Sequence, residues 1–158
     1  MNPSIISRGT LKIAGVSGDG SGTMQLWQSY ERLAESGGPS GKLSNNGYEI
    51  RIYEPDESRC DCHVGVEVSG GSDDPRWSLV ALPASLYASF TVFVSKGYDS
   101  ENATMDMWLR DHSQEYRQRE LNGRPYIVEC YDERFDGTKA GSVVEIWIPV
   151  VKVNTKAT

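Results

Sequence analysis

The sequence lacks most of what would mark a secreted, membrane-spanning or nucleic-acid-binding chain. Three cysteines in 158 residues are too few, and odd in number, for a disulfide framework, so reduced thiols in a cytoplasm are the simplest account. No uninterrupted apolar run of membrane-spanning length occurs, because the richest stretch, Leu79 to Val94, is broken by Pro83 and several serines. The first fifteen residues hold no apolar segment behind a basic cluster, which excludes the reading as a signal peptide. Basic residues number 16 against 22 acidic ones, giving a formal net charge of −6 and no lysine or arginine cluster. A face that neutralises phosphates is therefore absent, and the expectation is a cytoplasmic protein with no direct nucleic-acid contact and no membrane. An acidic field attracts cationic or polar small molecules, although acidic net charge is also ordinary in cytoplasmic proteins.

What is present is a globular composition, 38% apolar and 24% charged, in a length that suits one domain over residues 1–158. Thr10 to Val16 reads as a strand, followed by the turn-rich Ser17-Gly18-Asp19-Gly20-Ser21-Gly22. Thr23 can cap a helix in which Leu26, Trp27, Tyr30, Leu33 and Ala34 recur at helical spacing until Gly37 and Gly38. Tyr48 to Tyr53, the turn at Glu54-Pro55-Asp56, and the alternating Cys60 to Val68 form a hairpin that closes a β-α-β-β unit. The pattern then begins again. Strands are expected in Ser78 to Leu82 and Tyr87 to Val94, then a helix with Met105, Trp108 and Leu109 on one face, running on through the charged Gln114 to Glu120. Strands at Tyr126 to Tyr131 and Ser142 to Val153 complete it. The fold class expected is α+β: duplicated β-α-β-β units, with halves at about 8–69 and 75–153, building an antiparallel sheet with two helices on one face and a ligand cleft between the halves.

Aligning the last strands of the halves sets Gly65 against Pro149, which matches Asp61 with Glu145 and His63 with Trp147. Strand alternation puts Val144, Ile146 and Ile148 on the helix-packed face and Val143, Glu145 and Trp147 on the other. Likewise Cys62, Val64 and Val66 pack, leaving Asp61 and His63 opposite. Each half thus offers a carboxylate on the face its helix does not cover. Read from alternation alone, Glu145 is as compatible with a solvated sheet face as with a pocket.

The distributed motifs resemble the effector-binding domain of bacterial AraC-type and multidrug-responsive transcription activators, the GyrI-like domain. The likeness is carried by Tyr48-Glu49-Ile50 with Glu54-Pro55, by Arg59-Cys60-Asp61-Cys62-His63-Val64, and by Leu82-Pro83 with Tyr87-Ala88-Ser89-Phe90. It continues through Gly97-Tyr98, Trp108-Leu109, Pro125-Tyr126-Ile127-Val128-Glu129-Cys130-Tyr131 and Glu145-Ile146-Trp147-Ile148-Pro149-Val150. Each motif is short and tolerant, but their order spans nearly the whole chain. Ser85 departs from the family by standing where a turn glycine is usual. No helix-turn-helix pattern occurs within the sequence, so the expectation is a stand-alone effector domain.

The resemblance implies that Glu145 is the acidic residue that contacts ligands in the cleft. Beside aromatic rings, a carboxylate compensates a bound cation or serves as a general acid or base. Trp147, Tyr126, Trp27, Tyr30 and Trp108 are the aromatic candidates for the same cleft, although helical tryptophans more often serve packing. Asp61 is a further candidate, with an exposed ion pair to Arg59 as its alternative. His63 suits a proton carrier or an ordinary surface position. Cys60, Cys62 and Cys130 do not supply a tetrahedral zinc set, so no metal and no cofactor are expected. The glycine- and serine-rich loop lacks a P-loop lysine and Rossmann spacing, and reads as a flexible cleft rim.

The function implied is binding of an amphipathic aromatic effector, cationic or neutral, as a sensor, a sequestering protein or the partner of a separate regulator linked to transcription or drug response. The alternative from the same family is a hydrolase of strained electrophiles using Glu145. A further alternative is a protein-binding inhibitor of the gyrase-inhibitor type.

Overall fold

The computed structural model describes residues 2–71, 74–137 and 139–153. In chain order its elements are β1 (Ser4–Arg8), β2 (Leu11–Asp19), α1 (Thr23–Ala34), β3 (Gly47–Tyr53), β4 (Cys60–Glu67), β5 (Ser78–Leu82), β6 (Ser85–Phe93), α2 (Asp99–Asp111), β7 (Tyr116–Gln118), β8 (Glu120–Leu121), β9 (Arg124–Tyr131) and β10 (Val143–Lys152). All strands belong to one antiparallel sheet in the order β1-β6-β10-β9-β3-β4-β2-β5, with β7 added to β10 and β8 to β9. The α+β class, the duplicated units and the two helices on one face are all present. The units β2-α1-β3-β4 and β6-α2-β9-β10 meet where β3 pairs with β9, and Ile50 faces Val128 across that junction. Ile50 pairs with His63 and Val128 with Trp147, while Ile52 pairs with Asp61 and Cys130 with Glu145. The register therefore makes Asp61 the counterpart of Glu145, as the alignment of the two halves requires.

Two features depart from the sequence reading. The short β1 was not anticipated, because Ser4 to Arg8 offers only two apolar residues. It crosses to the other half to pair with β6, just as β5 crosses to pair with β2. Second, α2 stops at Asp111 instead of running through Gln114 to Glu120. Tyr116–Gln118 is a strand on β10, because Tyr116 buries its ring against Trp108 at 5.7 Å, a tertiary contact that overrides the helical propensity of the charged segment.

The sheet has two different faces. On the helix side, Tyr30, Leu33 and Ala34 of α1 pack on Ala14, Val66, Val68 and Trp77, and Met105 and Trp108 of α2 pack on Phe90, Val144, Ile146 and Ile148. On the other side the sheet curls over its own core of Leu11, Ile13, Tyr48, Ile50, Tyr87, Tyr126, Val128 and Trp147. Arg8 of the edge strand β1 reaches Glu67 of β4 at 3.0 Å, tying that edge to the other half of the sheet. Gly15 and Gly65 face each other where β2 crosses β4. A Cβ on Gly15 would collide with the Val64 carbonyl oxygen, and one on Gly65 with that of Ala14, so this close approach requires glycine at both positions.

Candidate functional site

The two helices do not meet over the sheet. Between them runs a groove whose floor is β3, β9 and β10, formed by three adjoining hollows of about 280, 420 and 590 Å³. Glu49, Tyr98 and Tyr131 are shared by the two larger hollows, which places them at the groove's centre. Trp27 of α1 and Phe135 of the loop before β10 line the largest hollow.

Alternation along the central strands explains this floor. Tyr48, Ile50 and Ile52 point into the curled core, so Glu49, Arg51 and Tyr53 point toward the helices; on β9, Tyr126, Val128 and Cys130 point inward and Ile127, Glu129 and Tyr131 outward. Glu49 and Glu129 are direct cross-strand partners. They are only 4% and 7% exposed. Two like charges opposite each other under helices need compensation, and Arg51 supplies it. Its Nε donates to Glu129 Oε2 at 2.7 Å and its Nη2 to Glu49 Oε1 at 2.8 Å. The remaining carboxylate oxygens are also bound: Trp27 Nε1 donates to Glu49 Oε2 at 2.7 Å, and the Tyr131 hydroxyl to Glu129 Oε1 at 2.9 Å. Arg51 Nη2 further donates to Thr23 Oγ1 at 3.1 Å, linking the start of α1 to the floor.

These contacts set the protonation states. Burial, with Glu129 close by, raises the pKa of Glu49 above the ordinary carboxylate value, and the bonds from Trp27 and Arg51 oppose that rise without cancelling it. Arg51 is held firmly charged: burial works against the cation, but Glu129 and Glu49 more than offset it. Burial, then Glu129 and Glu49, push the Tyr131 phenol far upward, so it stays a donor. Burial also pushes the Cys62 thiol to about 11 and the Cys130 thiol to about 12, so neither is a thiolate nucleophile near neutral pH.

Of the residues singled out from the sequence, Trp27 lies in this groove. The others do not. Glu145 and Trp147 lie on the helix-free face, as alternation required; there the curled sheet buries Trp147 in its core, while Glu145 stays part-exposed at the edge of that core. Glu145 accepts from Ser89 Oγ at 3.0 Å and from Arg134 Nη2 at 2.6 Å. Trp147 is core, 5.7 Å from the Tyr87 ring and 6.0 Å from the Tyr48 ring, and Tyr126 is fully buried beside it. Trp108 is packed in the second half, stacked on His112 at 4.6 Å. Asp61 is exposed and paired with Arg124 at 2.9 Å, not with Arg59. His63 is neither at the surface nor near the groove: its Nδ1 contacts Ser17 Oγ at 2.6 Å and its Nε2 the Ile13 carbonyl oxygen at 2.8 Å, and burial lowers its pKa. Gly20–Gly22, expected as a flexible rim, forms a 3₁₀ turn entered through the Asp19 side chain.

The groove residues Glu49, Arg51 and Glu129 had a signal in the sequence. On β3, Glu49 and Arg51 alternate with Tyr48, Ile50 and Ile52, and on β9 Glu129 stands between Val128 and Cys130, yet these charged residues point to the helix side, where a purely structural sheet would be apolar.

With this geometry established, comparison with known proteins decides the family. The GyrI-like small molecule binding domain matches residues 1–151. The chain belongs to this family. Among solved structures, this GyrI-like domain is similar to SAV2435 bound to tetraphenylphosphonium, with 15% identity, a TM-score of 0.71, and coverage of 96% of this chain and 94% of that one. It is also similar to EcmrR in a DNA complex, with 14% identity, a TM-score of 0.67, and coverage of 95% of this chain and 57% of that one. A hydrolase from Listeria innocua is similar at 11% identity and a TM-score of 0.55, covering 95% of this chain and 92% of that one. At these identities the likeness is one of fold. No curated protein sequence matches the chain. Among the described residues, no helix of this GyrI-like domain is long and apolar enough to cross a membrane.

Proposed function

We propose that the groove between α1 and α2 binds a small aromatic cation, in a sensing or sequestering role linked to transcription regulation or drug response. The observation that carries the reading is the Glu49–Glu129 pair on the groove floor, surrounded by the rings of Trp27, Tyr98 and Tyr131. Buried carboxylate charge supplies the long-range attraction, and aromatic faces add cation–π attraction of about 1–2 kcal/mol each when desolvated. The largest hollow has the volume and the mixed apolar lining of a small-molecule site. Tetraphenylphosphonium, the molecule bound to the similar SAV2435, is an aromatic cation and a suitable first probe.

Tryptophan fluorescence tests this directly, because Trp27 alone of the four tryptophans lines the groove. Titration with tetraphenylphosphonium is expected to give a saturable change in the wild type that Trp27→Phe removes. A flat wild-type titration with no heat of binding by calorimetry contradicts the reading.

The raised pKa of Glu49 sets the pH dependence. As pH falls through it, the carboxylate takes up a proton, and cation affinity is expected to drop at a pH above the ordinary glutamate value of about 4.3. The unliganded fold responds in the opposite sense. Folded Glu49 binds its proton at a higher pH than unfolded Glu49, so this group costs stability at neutral pH, and the cost is relieved as pH falls into the window between the two values. Glu129, Arg51, Tyr98 and Tyr131 face the same space and share this balance. Calorimetric affinity and denaturant midpoints over mildly acidic pH check the two opposite slopes.

A further inference from the structure

The groove's charges do not simply add to an acidic patch. Two carboxylates, Glu49 and Glu129, share one guanidinium, so the buried set carries a single net negative charge. The rim adds little to this: Glu31 is exposed to water, and Asp132 is engaged by Arg134 at 2.6 Å. Arg51 is not a surface partner that can swing away. It is anchored at both carboxylates, at Thr23 Oγ1 and, at 3.5 Å, at the Gly20 carbonyl oxygen. Its counterpart in the other half is Glu129 itself, so the duplicated position carries opposite charges in the two halves, joined across the junction.

We propose that Arg51 is a built-in counter-ion that sets the ligand's charge, restricting the groove to aromatic monocations and excluding dications of the same shape. The inference rests on the ligand reading above and makes Arg51 its specificity-determining residue. A monocation balances the set, leaving no buried net charge. A dication leaves one positive charge uncompensated beside Arg51, whose side chain is only 20% exposed on the floor of the groove, which weakens it by about tenfold or more relative to the monocation. The four carboxylate oxygens each already hold a donor, so the field of the set, more than new hydrogen bonds, attracts the ligand.

A matched pair of probes separates charge from shape: N-methyl-4-phenylpyridinium, a monocation, and N,N′-dimethyl-4,4′-bipyridinium, a dication of nearly the same outline. Calorimetric titration of the wild type is expected to favour the monocation by about tenfold or more, and Arg51→Met to shift the ratio toward the dication by about tenfold or more. The double variant R51M/E129Q restores a single charge and is expected to restore the monocation preference. The same preference in wild type and Arg51→Met, with both folded by circular dichroism, overturns the proposal. Should Arg51→Met not fold, Glu129→Gln decides. It leaves the set neutral, so the preference for the monocation over uncharged 4-phenylpyridine at mildly alkaline pH is expected to vanish, and its persistence overturns the proposal. Binding of neither cation to the wild type is a separate result, which overturns the ligand reading and this inference with it.

Discussion

Glu49→Gln is expected to weaken binding of an aromatic monocation by about 30-fold to 150-fold, the consequence of removing a desolvated charge worth about 2–3 kcal/mol to the complex. The substitution keeps the shape and keeps an oxygen able to accept from Trp27 Nε1, which lies 2.7 Å from the carboxylate. It removes the charge. Arg51 is then balanced by Glu129 alone, and the buried set becomes neutral. Glutamine gives up the bond that the second carboxylate oxygen accepts from Arg51 Nη2, but removing a buried charge with a raised pKa relieves an unfavourable desolvation that offsets this loss, and the free protein is expected to stay within about 1 kcal/mol of wild type in a denaturant titration. Lost affinity without lost stability distinguishes a binding residue from a packing residue. Equal affinity in the variant would remove Glu49 from the site.

The opposite pattern is expected at Trp147. Trp147→Ala should cost about 3–5 kcal/mol of folding stability, the range for emptying a large aromatic side chain from a packed core. The indole lies against Tyr48 and Tyr87, and the Arg8 guanidinium stacks over it with its carbon 5.3 Å from the ring centre. Those contacts hold β1 and β6 against β3, so the loss is felt across both halves. The milder Trp147→Phe, which keeps the core filled, is expected to leave ligand affinity unchanged. Denaturant midpoints and calorimetry on the two variants check this, and a large affinity loss in a stable Trp147→Phe protein would put the ligand on the wrong face of the sheet for this account.

Glu49 and Trp147 together show what the sequence could and could not convey. Period-two alternation is local, so it correctly set Glu145 and Trp147 on one face and Val144, Ile146 and Ile148 on the other, and the repeated pattern exposed the duplication. What alternation does not encode is which face stays open. The helix-free face would be the open one in a flat sheet. Here β1 and β5 cross between halves and Arg8 reaches Glu67, so that face curls shut over Trp147 and Tyr126. The helices are short and held apart, so the covered face keeps a groove. That outcome depends on strand exchange between segments more than seventy residues apart, through β1, whose five residues carry almost no pattern. Trp27 was legible as a candidate because it is an aromatic at helical spacing on the first helix, a pattern that suits packing as well. Its partner, Glu49, entered the sequence reading only within the Tyr48-Glu49-Ile50 motif, although its alternation with Tyr48 and Ile50 was there to be read. The ion pair of Arg51 with Glu129 joins residues 78 positions apart, and nothing local announces it.

The proposed position of the ligand is between the helices, over Glu49 and Glu129. The most direct measurement is a crystal structure of the protein soaked with tetraphenylarsonium, whose arsenic is located by its anomalous scattering. The account predicts an arsenic peak in the α1–α2 groove, within roughly 6 Å of the Trp27, Tyr98 or Tyr131 ring centres. A peak on the helix-free face beside Glu145 and Arg134, with the groove empty, would contradict it.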